Sequence, residues 1–85
     1  MTTLFYTYIL YSNTSKRFYI GQCKNIEKRL DFHNAGYVKS TKPYAPWTLI
    51  GSIQKPSRSE AMILEKKLKN FNRKDLDRFI AKYFS

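Results

Sequence analysis

The chain has 85 residues, with sixteen Lys and Arg against six Asp and Glu, a formal net charge of +10, and a composition that is 42% hydrophobic and 16% aromatic. That length supports one hydrophobic core, so a single domain over 1–85 is expected, and the aromatic content excludes a disordered tail. The charge favours a polyanionic partner, nucleic acid ahead of an anionic membrane, because no long apolar helix or lipidation motif accompanies it.

Cys23 is the one cysteine, so an intrachain disulfide is impossible and a reducing, cytoplasmic setting is expected, with the thiol acting as a small buried filler. Met1 precedes polar Thr2 and Thr3 and then a strand, which is not a secretory signal. No apolar run is long enough to cross a bilayer.

Leu4 to Tyr11 is apolar on both alternating sets of positions, the pattern of a strand covered on both faces, and is expected inside the sheet. Ser12-Asn13-Thr14-Ser15-Lys16 is a cluster of turn formers, so Arg17 to Gly21 should return as the partner of a β-hairpin with a five-residue loop. Phe18, Tyr19 and Ile20 favour a half-buried strand, and Gly21 suggests that the backbone leaves it through a close approach.

The run from Lys24 to Asn34 has helical spacing, with Ile26 and Leu30 on one stripe and Arg29 and His33 four apart on one face. Asn25 can cap this helix and Asn34-Ala35-Gly36 can stop it. Tyr37 to Pro46 is a loop in which Lys39, Lys42 and Tyr44 could contact a nucleic-acid backbone and stack on bases, or simply be solvated.

Trp47 to Ile53 is the third strand, between Pro46 and Pro56, with Trp47 in the core or covering the sheet edge. Ser57-Arg58-Ser59-Glu60 is a capping-box pattern opening a second helix, and Ala61, Leu64, Leu68 and Phe71 form its buried stripe. Glu65 lies at the margin of that stripe; spacing alone favours a solvated pair with Lys69 at i, i+4. Asn72 and Asp75 lead into a last helix, docked through Leu76, Phe79, Ile80 and Tyr83. The expected architecture is therefore α+β, a small three-stranded antiparallel sheet flanked by about three helices.

Tyr6-Thr7-Tyr8, then Tyr19-Ile20-Gly21, then Arg29 one short helix later and Glu65 on a later helix together resemble the GIY-YIG nuclease family. The second triplet is intact; the first has Tyr6 in place of Gly and Thr7 in place of Ile. That variant is similar to small standalone members related to the N-terminal domain of excinuclease C. The resemblance covers nearly the whole chain. It implies a metal-dependent phosphodiesterase site in which Glu65 binds Mg2+ or Mn2+ and Arg29 holds the scissile phosphate of DNA. The family often carries a late asparagine near the site, but neither Asn70 nor Asn72 matches locally, and both are left out of the candidate set.

The residue types suit that chemistry. A phosphodiester repels nucleophiles and releases a poor alkoxide, so its charge must be neutralised, water deprotonated and the departing oxygen stabilised. A carboxylate-bound divalent ion supplies Lewis acidity, and a guanidinium offers permanently charged donors in a fork that fits phosphate oxygens. The base is open among Tyr8, Tyr19 and His33: a phenol with pKa about 10 needs a nearby cation, whereas imidazole titrates nearer neutrality. His33 could instead orient a tyrosine or contact the phosphate. Gly21 would let the chain pass close to substrate or metal, and Lys24 and Lys28 would add phosphate attraction.

Two functions follow from these residues. One is an endonuclease acting on DNA by structure or backbone shape, with branched or flapped DNA as candidate substrates, or guided by a partner protein; repair, recombination and mobile-element roles are all compatible. The other is a non-catalytic DNA- or RNA-binding module that keeps the fold. Salt-sensitive binding that is indifferent to Glu65 and to metal would mark the second.

Overall fold

The computed structural model describes residues 4–84. Its elements are β1 (Phe5–Ser12), β2 (Arg17–Cys23), α1 (Ile26–Ala35), a 3-10 turn (Lys42–Tyr44), β3 (Trp47–Lys55), α2 (Arg58–Lys69) and α3 (Arg73–Phe84). The three strands form one antiparallel sheet in the order β2-β1-β3, so the strand that is apolar on both faces is the central one.

The alternation along β1 divides the core into two layers. Tyr8 and Leu10 face Cys23, Trp47, Ile26 and Leu30, beneath α1 and the loop that follows it. Ile9 faces Ile20, Leu68 and Leu76, beneath α2 and α3. A bulge opposite Ile9 and Leu10, where β3 passes from Gly51 to Leu49, keeps both faces filled.

Local signals explain the boundaries. Asn25 Oδ1 accepts from the Lys28 N–H at 3.0 Å and caps α1; Gly36, at φ 84°, ends it in the left-handed region. Ser57 Oγ accepts from the Glu60 N–H at 3.2 Å, and Asn72 Oδ1 from the Asp75 N–H at 2.8 Å. Asn72 is thus accounted for as the cap of α3.

Four details differ from the sequence expectation. The hairpin loop has four residues, 13–16, because Ser12 belongs to β1; its hydroxyl donates to the Tyr44 carbonyl at 2.6 Å, tying the strand end to the later loop. β2 does not end at Gly21 but runs on to Cys23, since Gly21 pairs directly with Tyr8 in the ladder. β3 likewise extends two residues past Ile53, to Lys55. Tyr83 does not dock: it is 55% exposed, and Phe84 takes the inner position, its ring lying against the bare Cα of Gly51.

Candidate active site

Tyr8 and Tyr19 come from adjacent strands and meet His33 of α1 on the α1 face of the sheet. The ring centroids lie 6.3 Å apart for Tyr8 and Tyr19, 6.0 Å for Tyr8 and His33, and 4.8 Å for Tyr19 and His33. Tyr8 Oη is 3.0 Å from His33 Nε2, and His33 Nδ1 is 2.8 Å from Thr41 Oγ1. Trp47 closes the cluster edge-on against Tyr19, with its Nε1–H donating to the Thr41 carbonyl at 3.0 Å.

Gly21 makes the cluster possible. A Cβ at this position would sit 2.5 Å from Tyr8 Oη and 3.2 Å from Tyr19 Cε2. The close approach suggested by the glycine is therefore made by the phenol of Tyr8, which crosses the edge strand β2.

The electrostatics follow from burial and from two flanking charges. Burial raises the Tyr8 phenol well above its ordinary 10.0, helped by Tyr19; the Arg29 guanidinium pulls it down, while Cys23 and the Glu65 carboxylate push it further up. Burial also lowers His33 below 6.5, and the positive Arg29 lowers it again. The Cys23 thiol is raised by burial, as expected of a packed filler and not of a nucleophile. His33 is 1% exposed with both ring nitrogens engaged, Nε2 with the Tyr8 hydroxyl and Nδ1 with Thr41 Oγ1.

Glu65 approaches from the other layer. α2 packs against both β1 and β2, and Tyr19 shares a groove along the open edge of β2 with Leu68 and Lys69 of this helix. The Thr7 hydroxyl donates to the Ala61 carbonyl at 2.8 Å, fixing to β1 the helical turn from which Glu65 follows. Thr7 stands where the family name has Ile, and this bond gives its hydroxyl a use. Glu65 Oε2 pairs with Lys69 Nζ at 2.8 Å, and the Glu65 side chain is 18% exposed. One side chain thus makes the pair expected from spacing and also acts electrostatically on Tyr8.

Among the described residues no group of three or more His, Cys, Asp or Glu could hold a metal ion. One partly buried carboxylate, Glu65, acting electrostatically on the same phenol as Arg29, still fits a hard ion such as Mg2+ or Mn2+, which keeps several waters and takes one or two carboxylates together with substrate phosphate oxygens. It does not fit a structural zinc site.

A cleft of about 390 Å³ opens where β2 passes into α1. Lys24, Lys28, Arg29 and Arg58 line it along with Phe32, and no acidic residue does. Lys24 and Lys28 are therefore beside Arg29 as expected, whereas Lys39 and Lys42 do not line the cleft; they lie on the exposed loop beyond α1. Tyr44 of that loop is covered by the Arg17 guanidinium, 4.3 Å from its ring centroid.

Three contributors have almost no signature in the sequence. Arg58 reaches the cleft from the start of α2 and lies 5.3 Å over the ring of Phe5. Its only signal is a place inside the capping box. Thr41 has no signal beyond membership of a polar loop. Asn34 donates to the Trp47 carbonyl at 3.1 Å and accepts from its N–H at 2.5 Å, joining α1 to the start of β3; its sequence context marks only a helix stop.

Comparison with known proteins gives two matches. Residues 4–79 match the family model described as the GIY-YIG catalytic domain. The solution NMR structure of a UPF0213 protein from Bacillus halodurans is similar at 25% identity with a TM-score of 0.65, over 96% of this chain and 87% of that one. No curated protein matches.

Proposed function

Because this chain belongs to the GIY-YIG family, a family of nucleases, we propose that it is a metal-dependent endonuclease that hydrolyses DNA phosphodiester bonds and reads backbone or structure more than base sequence. The supporting observation is the convergence on Tyr8: an imidazole 3.0 Å from its hydroxyl, and the opposed charges of Arg29 and Glu65 both acting on it.

In this reading the backbone enters along the cleft, where Lys24, Lys28 and Arg58 neutralise phosphates and Arg29 holds the scissile one in its fork. Glu65 would hold the divalent ion, which when bound would supply Lewis acidity at the phosphate and stabilise the departing oxygen. Tyr8 is the base: its oxygen takes a proton from water while its own proton passes to His33 Nε2. Both shifts suit this order, since a raised phenol and a lowered imidazole keep both groups neutral at rest. Tyr19 packs against His33 and walls the pair on the β2 side. The substrates to test first are branched, flapped and plain duplex DNA, and a cytoplasmic role in DNA repair fits such substrates.

Incubation of these DNAs with Mg2+ or Mn2+ tests the reading. Cleavage is expected, with a loss of about a hundredfold or more for Arg29→Ala and for Glu65→Gln, the range typical of removing a charge-stabilising group. Cleavage indifferent to both substitutions would remove the assignment.

The Glu65–Lys69 pair favours a second reading, a basic DNA- or RNA-binding module without catalysis, in which this carboxylate is simply neutralised by its own helix. Under it, no substrate is cut, and binding is salt-sensitive, needs no metal and survives Glu65→Gln.

A further inference from the structure

We propose that Thr41 is a positioning residue for the Tyr8–His33 pair: its hydroxyl fixes His33 in the tautomer that carries the proton on Nδ1 and leaves Nε2 bare to receive the Tyr8 proton. The tautomer stands on hydrogen-bond geometry alone, and its catalytic consequence rests on the nuclease reading.

The assignment comes from counting donors. His33 and Thr41 are each 1% exposed, so their protons must be placed within the protein. The hydroxyls of Tyr8 and Thr41 have one proton each, and neutral imidazole has one N–H. Two directions are available along the chain of bonds. If the Thr41 hydroxyl donated to Nδ1, it would give up the Val38 carbonyl, and the imidazole proton would lie on Nε2 and point at the Tyr8 oxygen, so that the Tyr8 O–H could no longer donate to His33. In the opposite direction every proton has a partner. The Thr41 O–H donates to the Val38 carbonyl at 3.2 Å, His33 Nδ1–H donates to Thr41 Oγ1 at 2.8 Å, and the Tyr8 O–H donates to Nε2 at 3.0 Å. A ring nitrogen's role is set by the bond that the other nitrogen makes, and here that bond is Thr41's.

Thr41 is itself held at three points. Its N–H donates to the Val38 carbonyl at 3.1 Å, its carbonyl accepts from Trp47 Nε1 at 3.0 Å, and its side chain is bonded on both sides. The loop after α1 thus supplies the fixed end of the relay.

The step then balances. An O–H bond of water breaks and its proton joins the Tyr8 oxygen, as the Tyr8 proton moves to Nε2. The hydroxide pair forms the new P–O bond, and the P–O bond to the leaving oxygen breaks with its electron pair. The imidazolium formed keeps Nδ1–H on Thr41, and its extra proton returns through Tyr8 to solvent or to the leaving oxygen.

His33 is the single histidine of the chain, so its two ring nitrogens can be read without ambiguity by 15N NMR in the metal-free protein. The wild type is expected to show a protonated Nδ1 and a bare Nε2 at pH about 7.5, above the ordinary imidazole range. Thr41→Val, which keeps shape and removes the acceptor, should populate the Nε2–H form, and Thr41→Ser should restore the wild-type pattern. In cleavage assays Thr41→Val should lower kcat by on the order of ten- to a hundredfold with KM little changed, again with rescue by Ser. A wild-type Nε2–H tautomer overturns the proposal even if Thr41→Val fails to fold, as does a folded Thr41→Val with an unaltered tautomer. If the tautomer responds as stated but no protein cuts DNA, the positioning role stands and the nuclease reading falls.

Discussion

Tyr8 is a buried phenol whose hydroxyl is bonded to an imidazole, and pH should expose that dependence. The folded-state pKa of His33 lies below the ordinary 6.5 because burial and Arg29 disfavour its charged form. The unfolded chain therefore binds more protons as pH falls below about 6.5, so stability is complete above that value and is lost as pH drops toward the folded pKa. Thermal unfolding between about pH 5 and 7.5 should show Tm declining on the acid side, and His33→Gln should flatten this slope. An acid slope unchanged by the substitution would show that other groups carry it. At Gly21 the outcome is steric. A methyl there meets Tyr8 Oη at 2.5 Å, so Gly21→Ala should cost about 1–3 kcal/mol in denaturant unfolding and displace the phenol. Pairing it with Tyr8→Phe, which removes the clashing oxygen, should recover part of that loss. In the sequence Gly21 announces a close approach, but its partner is hidden because cross-strand register decides who stands opposite, and Tyr8↔Gly21 is a product of pairing.

At the scale of elements, α1 brings its positive charges and its histidine together by starting in the right place. Asn25 sets that start, so Asn25→Ala should cost about 1 kcal/mol and weaken DNA binding, because Lys28 and Arg29 lie in the first turns. A loss of stability with no effect on binding would separate the cap from the cleft. The part played by α2 is less visible. Its first residue, Arg58, lines the cleft, while Glu65, two turns on, acts electrostatically on Tyr8. The helix itself is legible in its capping box and apolar stripe. That it carries both a cation of the cleft and a carboxylate acting on Tyr8 is not, because periodicity tells which face of a helix is buried and nothing about which strand it runs beside.

For the whole molecule, +10 on one small domain creates a general attraction for polyanions, yet the cations do different work according to where the fold leaves them. Arg58 lines the cleft and Lys39 lies on an exposed loop. The salt dependence of DNA affinity, measured without metal, should lose about one unit of slope with Arg58→Ala, as for one phosphate contact, and less with Lys39→Ala. Equal slopes for the two variants would mean that the charge acts as a diffuse field and the cleft has no special part. No helix among the described residues is long and apolar enough to cross a membrane, in line with the apolar runs of the sequence.

The alternation of Leu4 to Tyr11, the caps at Asn25 and Ser57, the apolar periodicity of the last helix and the order of Tyr8, Tyr19, Arg29 and Glu65 were sufficient, by themselves, for the central strand, the helices and the family. These are local patterns or ordered spacings, and they survive without coordinates. The tertiary structure alone decided that Tyr8 reaches over Gly21 to His33, that Thr41 bonds that histidine and that Arg58 joins Lys24 and Lys28, because the first and last depend on contacts between segments distant along the chain and the second on the path of an irregular loop, and neither leaves a periodic trace in a single sequence.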